Sequence, residues 1–198
     1  MVKFDPLPLE REIFMSFPFC QIQEDCLWVL SQLQGPWKIP ADALYEAIAQ
    51  QGWQIRLGSL PAELFCACDA WKQTITISIQ LQEQLNCPHL HREVLHWLLA
   101  VELGNIRLNS MAILEGKQDL ACERLATDYA SAFLLPEETL RAHPDVAYLL
   151  ASQPLPRESW QRMCRVAEHF RVPVRCVQVA LECYGLLTEN SRFRELAA

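Results

Sequence analysis

Glu102 is the residue whose neighbours most invite chemistry. It sits in "LLAVELGNIRL", residues 98–108, on an apolar helical background. A helix reading His-Glu-x-x-His at this point would hold zinc. Two imidazoles four residues apart share one face, and the glutamate beside the first acts as base on the metal-bound water. Here the two histidine positions carry Val101 and Asn105, and only Glu102 fills its place in the pattern. Valine has no lone pair to donate, and an amide oxygen is a poor zinc ligand. On the following predicted helix, Glu123 is placed to project toward the same point. Loss of the metal removes both the activated water and the Lewis acid, so Glu102 is left without a water to work on.

Other candidate donors do not repair this pattern. His91 lies ~15 Å from position 101 along a helix axis, and His96, though closer, points away from the Val101–Asn105 face. His89, Glu93 and His96 share a face among themselves, either as a small surface metal site or as ordinary histidines of a solvated helix start. His143 and His169 read as isolated structural or surface residues. Nine cysteines, an odd number, sit in a chain whose N-terminus does not read as a signal peptide. This points to reduced thiols in a cytoplasm rather than a disulfide framework. Most are expected to be small buried residues. The close pair, Cys66-x-Cys68, lacks a second pair to complete a zinc-knuckle spacing, and a thiol-redox role would need a depressed thiol pKa.

The elements that must position these residues follow from periodicity. Residues 1–19 read as an extended arm broken by Pro6, Pro8 and Pro18. Residues 22–34 give a short amphipathic helix ended by Gly35-Pro36, and a second helix runs from about Pro40 to a stop at Gly52. The period then becomes alternating in "WQIRLGSL", "ELFCACD" and "QTITISI", with a hairpin turn at "CDAWKQ". Cys66 and Cys68 share one face of their strand because side chains alternate with a period of two. Helical pattern returns at "NCPHLHREVLHWLLAVELGN", with Pro88 in its first turn, and again at "DLACERLATDYASAFLLP". Shorter helices follow to the C-terminus. Of six tryptophans, most are expected in the core, while Trp37 and Trp71 fall at predicted loops or turns where exposure would mark a contact surface.

"LLAVELGNIRL" followed by "ERLATDYASAFLLP" resembles the ImmA/IrrE metallopeptidase family of bacteria and their mobile elements. Ala100, Glu102, Leu103 and Gly104 match the first family block. Glu123, Ala126, Tyr129, Ala130, Leu134, Leu135 and Pro136 match the second. The resemblance runs over roughly residues 40–185, including the closing "VAEHFRVPVRCVQVALECYGLL". It implies an α+β fold: a small, about three-stranded sheet with zincin-like motif helices, and a mainly helical C-terminal part. It divides the chain into an N-terminal arm and helix (1–38), a zincin-type core (39–140) and a C-terminal helical segment (141–198). It places the family's general base at Glu102 and its metal ligands at Val101, Asn105 and Glu123, where the departures fall on the chemistry. The implied protein is a pseudo-peptidase with no cofactor, acting by binding a protein partner in the former substrate cleft. Zinc enters only in the alternative of an active metallopeptidase with substitute ligands.

A different class of function rests on "VAEHFRVPVRCVQVAL", which has the outline of a helix-turn-helix. Ala167 would sit in the first helix and Val177 would pack from the second. Arg175 and Gln178 would be the reading side chains, beside the acidic Glu182. The net charge of −7 argues against a general nucleic-acid binder. No apolar run reaches the ~18 residues of a membrane helix. A hydrophobic content of 51% over 198 residues supports one sizeable core with attached segments.

Overall fold

The structure is a computed structural model that describes residues 19–33, 39–81, 88–114, 123–152 and 158–187. The side chains of 88–91, 112–114 and 123 fall outside that description, as do residues 1–18 of the expected arm, Trp37, Cys87 and Cys122. The described part is α+β, with eight α-helices around a small three-stranded mixed sheet.

Helix α1 spans Phe19–Gln32 and buries Ile22, Cys26 and Val29 at helical spacing. It begins three residues before the sequence boundary, within the usual uncertainty of helix ends. A 3-10 turn, Pro40–Ala43, leads into α2, Leu44–Gln50. Gly52, at φ +79°, ends α2 by entering the left-handed region that its missing Cβ permits.

The strands are β1 (Gln54–Gly58), β2 (Cys66–Asp69) and β3 (Thr74–Ser78), in spatial order β1-β3-β2. β1 runs parallel to β3 and β2 antiparallel. The β2–β3 hairpin turns through Gln73 at φ +48°, and its tip carries Trp71 fully in solvent. Ile75 and Ile77 of β3 are buried, and the register places Cys68 opposite Ile75 and Cys66 opposite Ile77. Both cysteines therefore lie on the inward face of the sheet, at its β2 edge.

Helix α3, Pro88–Leu114, is the longest element and carries the Glu102 segment. It packs most extensively on α4, Glu123–Leu134. The close approach explains Gly104: a Cβ there would stand 2.9 Å from both the Ala126 carbonyl oxygen and the Tyr129 Cβ. Tyr129 and Phe133 of α4 are fully buried beside Leu99 and Leu103 of α3. Helices α5 (Glu137–Ala142), α6 (Pro144–Ala151), α7 (Ser159–Phe170) and α8 (Val174–Cys183) complete the fold. α8 packs on both α7 and α4, which ties the C-terminal helices to the motif helices.

Several side chains differ from expectation. Among the described cysteines, Cys26 and Cys176 are buried. Cys66, Cys164 and Cys183 are half-buried, and Cys20 and Cys68 reach the surface. These surface thiols stand on helix and sheet edges, where periodicity does not separate a rim from a core. His96 is no solvated histidine: it is buried, and its Nδ1 donates to the Arg171 carbonyl at 3.1 Å. His143 and His169 are not isolated. Their rings stand 5.1 Å apart edge to face, because the α5–α6 corner folds against the end of α7. Trp28 and Trp71 are exposed, whereas Trp53, Trp97 and Trp160 are half-buried against the core.

Candidate functional site

The α3 helix brings Val101, Glu102 and Asn105 to the inward edge of the sheet. Glu102 Oε2 accepts a hydrogen bond from Cys68 Sγ at 2.9 Å and another from Asn105 Nδ2 at 3.1 Å. Cys66, two residues before Cys68 on the same strand face, feels the charge of the same carboxylate. Glu102 is thus clasped between its own helix and strand β2. Val101, half-buried, packs against the core. Glu123 opens α4, and its side chain lies outside the described residues.

This environment disfavours thiolates. Burial pushes the Cys66 thiol up to about 12, and the negative charge of Glu102 adds to the shift. Burial likewise raises Cys68, helped by its hydrogen bond to Glu102, the charge of that carboxylate and the neighbouring Cys66. Both thiols are therefore protonated donors at neutral pH. A redox sensor would need the opposite shift.

A zinc ion of the kind held by a His-Glu-x-x-His helix does not fit these residues. Val101 offers no donor atom, and Asn105 commits its amide nitrogen to Glu102. Among the described residues, no three His, Cys, Asp or Glu side chains are grouped to hold a metal ion. His96 supplies no substitute, since it is committed to the Arg171 carbonyl. The His89–Glu93–His96 face cannot be assembled from described side chains, because His89 lies outside them.

A second polar cluster lies one and a half turns along α3. Arg107 donates through Nε to Asp25 Oδ2 at 3.0 Å and through Nη1 to Gln51 Oε1 at 2.9 Å, and its Nη2 forms an ion pair with Asp25 Oδ1. Tyr129 Oη donates to Asp25 Oδ2 at 2.8 Å. Trp28 lies under the guanidinium, 5.1 Å from its centre. These bonds join α1, α3, α4 and the residue that caps the C-terminal end of α2. Sequence reading missed the cluster because its members stand far apart in the chain. The spacing of Asp25 in α1 carries no signal of a partner 82 residues away.

Helices α7 and α8, joined by a short turn over residues 171–173, occupy the segment whose sequence outlines a helix-turn-helix. Arg171 turns the chain at φ +55°, an unfavourable region for a side-chain-bearing residue. His96 donating to its carbonyl and its own guanidinium bonding Asp42 at 2.7 Å hold it there. Ala167 and Val177 are buried as expected. On α8, Arg175 is exposed, while Gln178 donates to Glu182 at 2.9 Å.

Comparison with sequence models of known families gives no match, and comparison with curated proteins gives none either. Among solved structures, a Mycobacterium tuberculosis transcriptional regulator is similar at 14% identity and a TM-score of 0.56. The similarity covers 82% of this chain and 46% of that one, so this chain spans about half the length of the regulator. At this identity the likeness is one of fold. Among the described residues, no helix is long and apolar enough to cross a membrane.

Proposed function

We propose that this chain is a non-catalytic protein of the ImmA/IrrE type, acting by binding a protein partner along the edge of strand β2 beside helix α3. The observation that carries the reading is the clasp on Glu102. Its Oε2 accepts from Cys68 and Asn105, while Val101 and Asn105 stand where imidazoles would be needed. A carboxylate held by two donors and facing no metal-binding pair is poorly placed to activate water. The edge of β2 beside it and the exposed Trp71 supply a strand edge and an aromatic anchor of the kinds that protein partners use. The test is peptide hydrolysis by the zinc-supplemented protein and by Glu102→Gln, alongside partner capture from its native cytoplasm. No hydrolysis, with capture weakened by Trp71→Ala, is the expected result. Hydrolysis abolished by Glu102→Gln contradicts it and favours a metallopeptidase with substitute ligands.

A second reading is a DNA-binding regulator. It is favoured by the turn at Arg171, the exposure of Arg175 and the likeness of fold to a transcriptional regulator. Glu182, bonded to Gln178 on the same helix, places an acidic group where DNA phosphates would approach. This reading predicts a salt-dependent shift on duplex DNA that Arg175→Ala removes. Absence of binding at low salt eliminates it.

A further inference from the structure

We propose that Cys66 and Cys68 form a two-thiol site for a soft, two-coordinate metal ion of the monovalent-copper class, at the β2 edge beside Glu102. The inference goes beyond the partner-binding reading and does not depend on it. Strand pairing fixes both residues on the same inward face, since Cys66 lies opposite Ile77 and Cys68 opposite Ile75. The β2–β3 pairing sets that spacing, and the hairpin beyond it is closed by Lys72 N donating to Asp69 Oδ1 at 3.1 Å. Cys68 Sγ donates to Glu102 Oε2 at 2.9 Å, and Cys66 stands two residues before it on the same strand face, so both thiols lie on the side of the sheet that meets α3. Cys68 reaches the surface, which gives an ion a way in.

The donor count selects the ion. Among the described residues no group of three ligating side chains is available. Zinc, which wants four donors, is under-supplied, whereas a linear ion needs only two sulfurs. Soft thiolate ligands favour monovalent copper over harder divalent ions. Binding forms two sulfur–copper bonds and releases one proton from each thiol to solvent, with no change of oxidation state. The product carries one negative charge beside Glu102, which loses its Cys68 donor and keeps that of Asn105. Glu102 therefore opposes the ion electrostatically and acts as a brake on affinity, not as a ligand.

The test is competition of the reduced full-length chain against a chromogenic copper(I) chelator. We expect about one copper(I) per chain to be withdrawn in a tight phase, weakened roughly 100-fold in Cys66→Ser or Cys68→Ser. Cys183→Ser, whose thiol bonds Asp128 at 3.5 Å on a different face, should bind as the unmodified chain does. Glu102→Gln should bind several-fold more tightly, because a negative charge beside the bis-thiolate is gone. Copper should also shield Cys66 and Cys68 of the unmodified chain from alkylation, a mass-spectrometric readout that needs no variant to fold. The proposal is overturned if the chain takes no copper(I) from the chelator, if the double cysteine variant keeps the tight phase, or if Glu102→Gln weakens it. Alkylation of Cys66 and Cys68 that copper leaves unchanged overturns it too.

Discussion

Two carboxylates meet helix α3 within two turns of each other, and their surroundings could hardly differ more. Asp25 faces a guanidinium and a phenol, with the side chains of Asp25 and Arg107 only 11% and 15% exposed. Glu102 faces two protonated thiols and an amide at a half-open edge. The first carboxylate has its charge matched and its lone pairs used, as a joint between helices requires. The second has donors but no cation. Such an arrangement contributes little to holding the fold together and leaves polar groups free to change partners at the sheet edge. Matched charge marks scaffold, and unmatched charge beside adjustable donors marks a site.

The contrast breaks most directly at Asp25. Asp25→Ala strands Arg107 and the Tyr129 hydroxyl, and should lower unfolding free energy by about 3 kcal/mol in denaturant titration. A loss under about 1 kcal/mol would show that the joint is not structural. Next in size is Gly104→Ala, where the added methyl meets the Ala126 backbone and Tyr129. Overpacking against backbone should cost about 2 kcal/mol. Glu102→Gln should by contrast change stability by less than about 1 kcal/mol, since an amide oxygen still accepts from Cys68 and Asn105. A larger loss would move Glu102 into the scaffold class.

The smallest effect is acid-dependent. Asp145 receives 2.7 Å and 2.6 Å bonds from Arg162 and Arg165, which hold its carboxyl down at about 2 from the ordinary 3.8. A depressed carboxylate contributes its full stability above the unfolded value and loses it as pH falls from 3.8 toward 2. The thermal-midpoint gap between the native chain and Asp145→Asn should therefore be open at pH 5 and narrow at the acid end of that window. A gap that does not change would show that the arginines do not stabilise the ionised form.

Much of this contrast lay beyond the reach of periodicity. The helical repeat of α3 and α4, the stop at Gly52 and the shared face of Cys66 and Cys68 were legible because they are local and set by helix and strand geometry. That this face looks onto Glu102, 34 residues from Cys68, follows only from the order β1-β3-β2, which no local pattern dictates. His96 read as solvated because its partner is a backbone carbonyl 75 residues on, at a left-handed arginine that sequence gives no reason to expect. The lack of a zinc-binding pair beside Glu102 was legible as chemistry, since Val101 and Asn105 lack imidazoles in any conformation. The donors that fill the space around Glu102 were not.

The central claim is that the site at Glu102 lost its metal chemistry through positions 101 and 105. Zinc content and peptide hydrolysis of the native chain, beside Val101→His/Asn105→His prepared in the same zinc-replete medium, test it directly. The account predicts well under one zinc per chain and no hydrolysis for the native protein, and about one zinc per chain for the double variant. A native protein that carries a full equivalent of zinc and cleaves peptide in a Glu102-dependent way would contradict it.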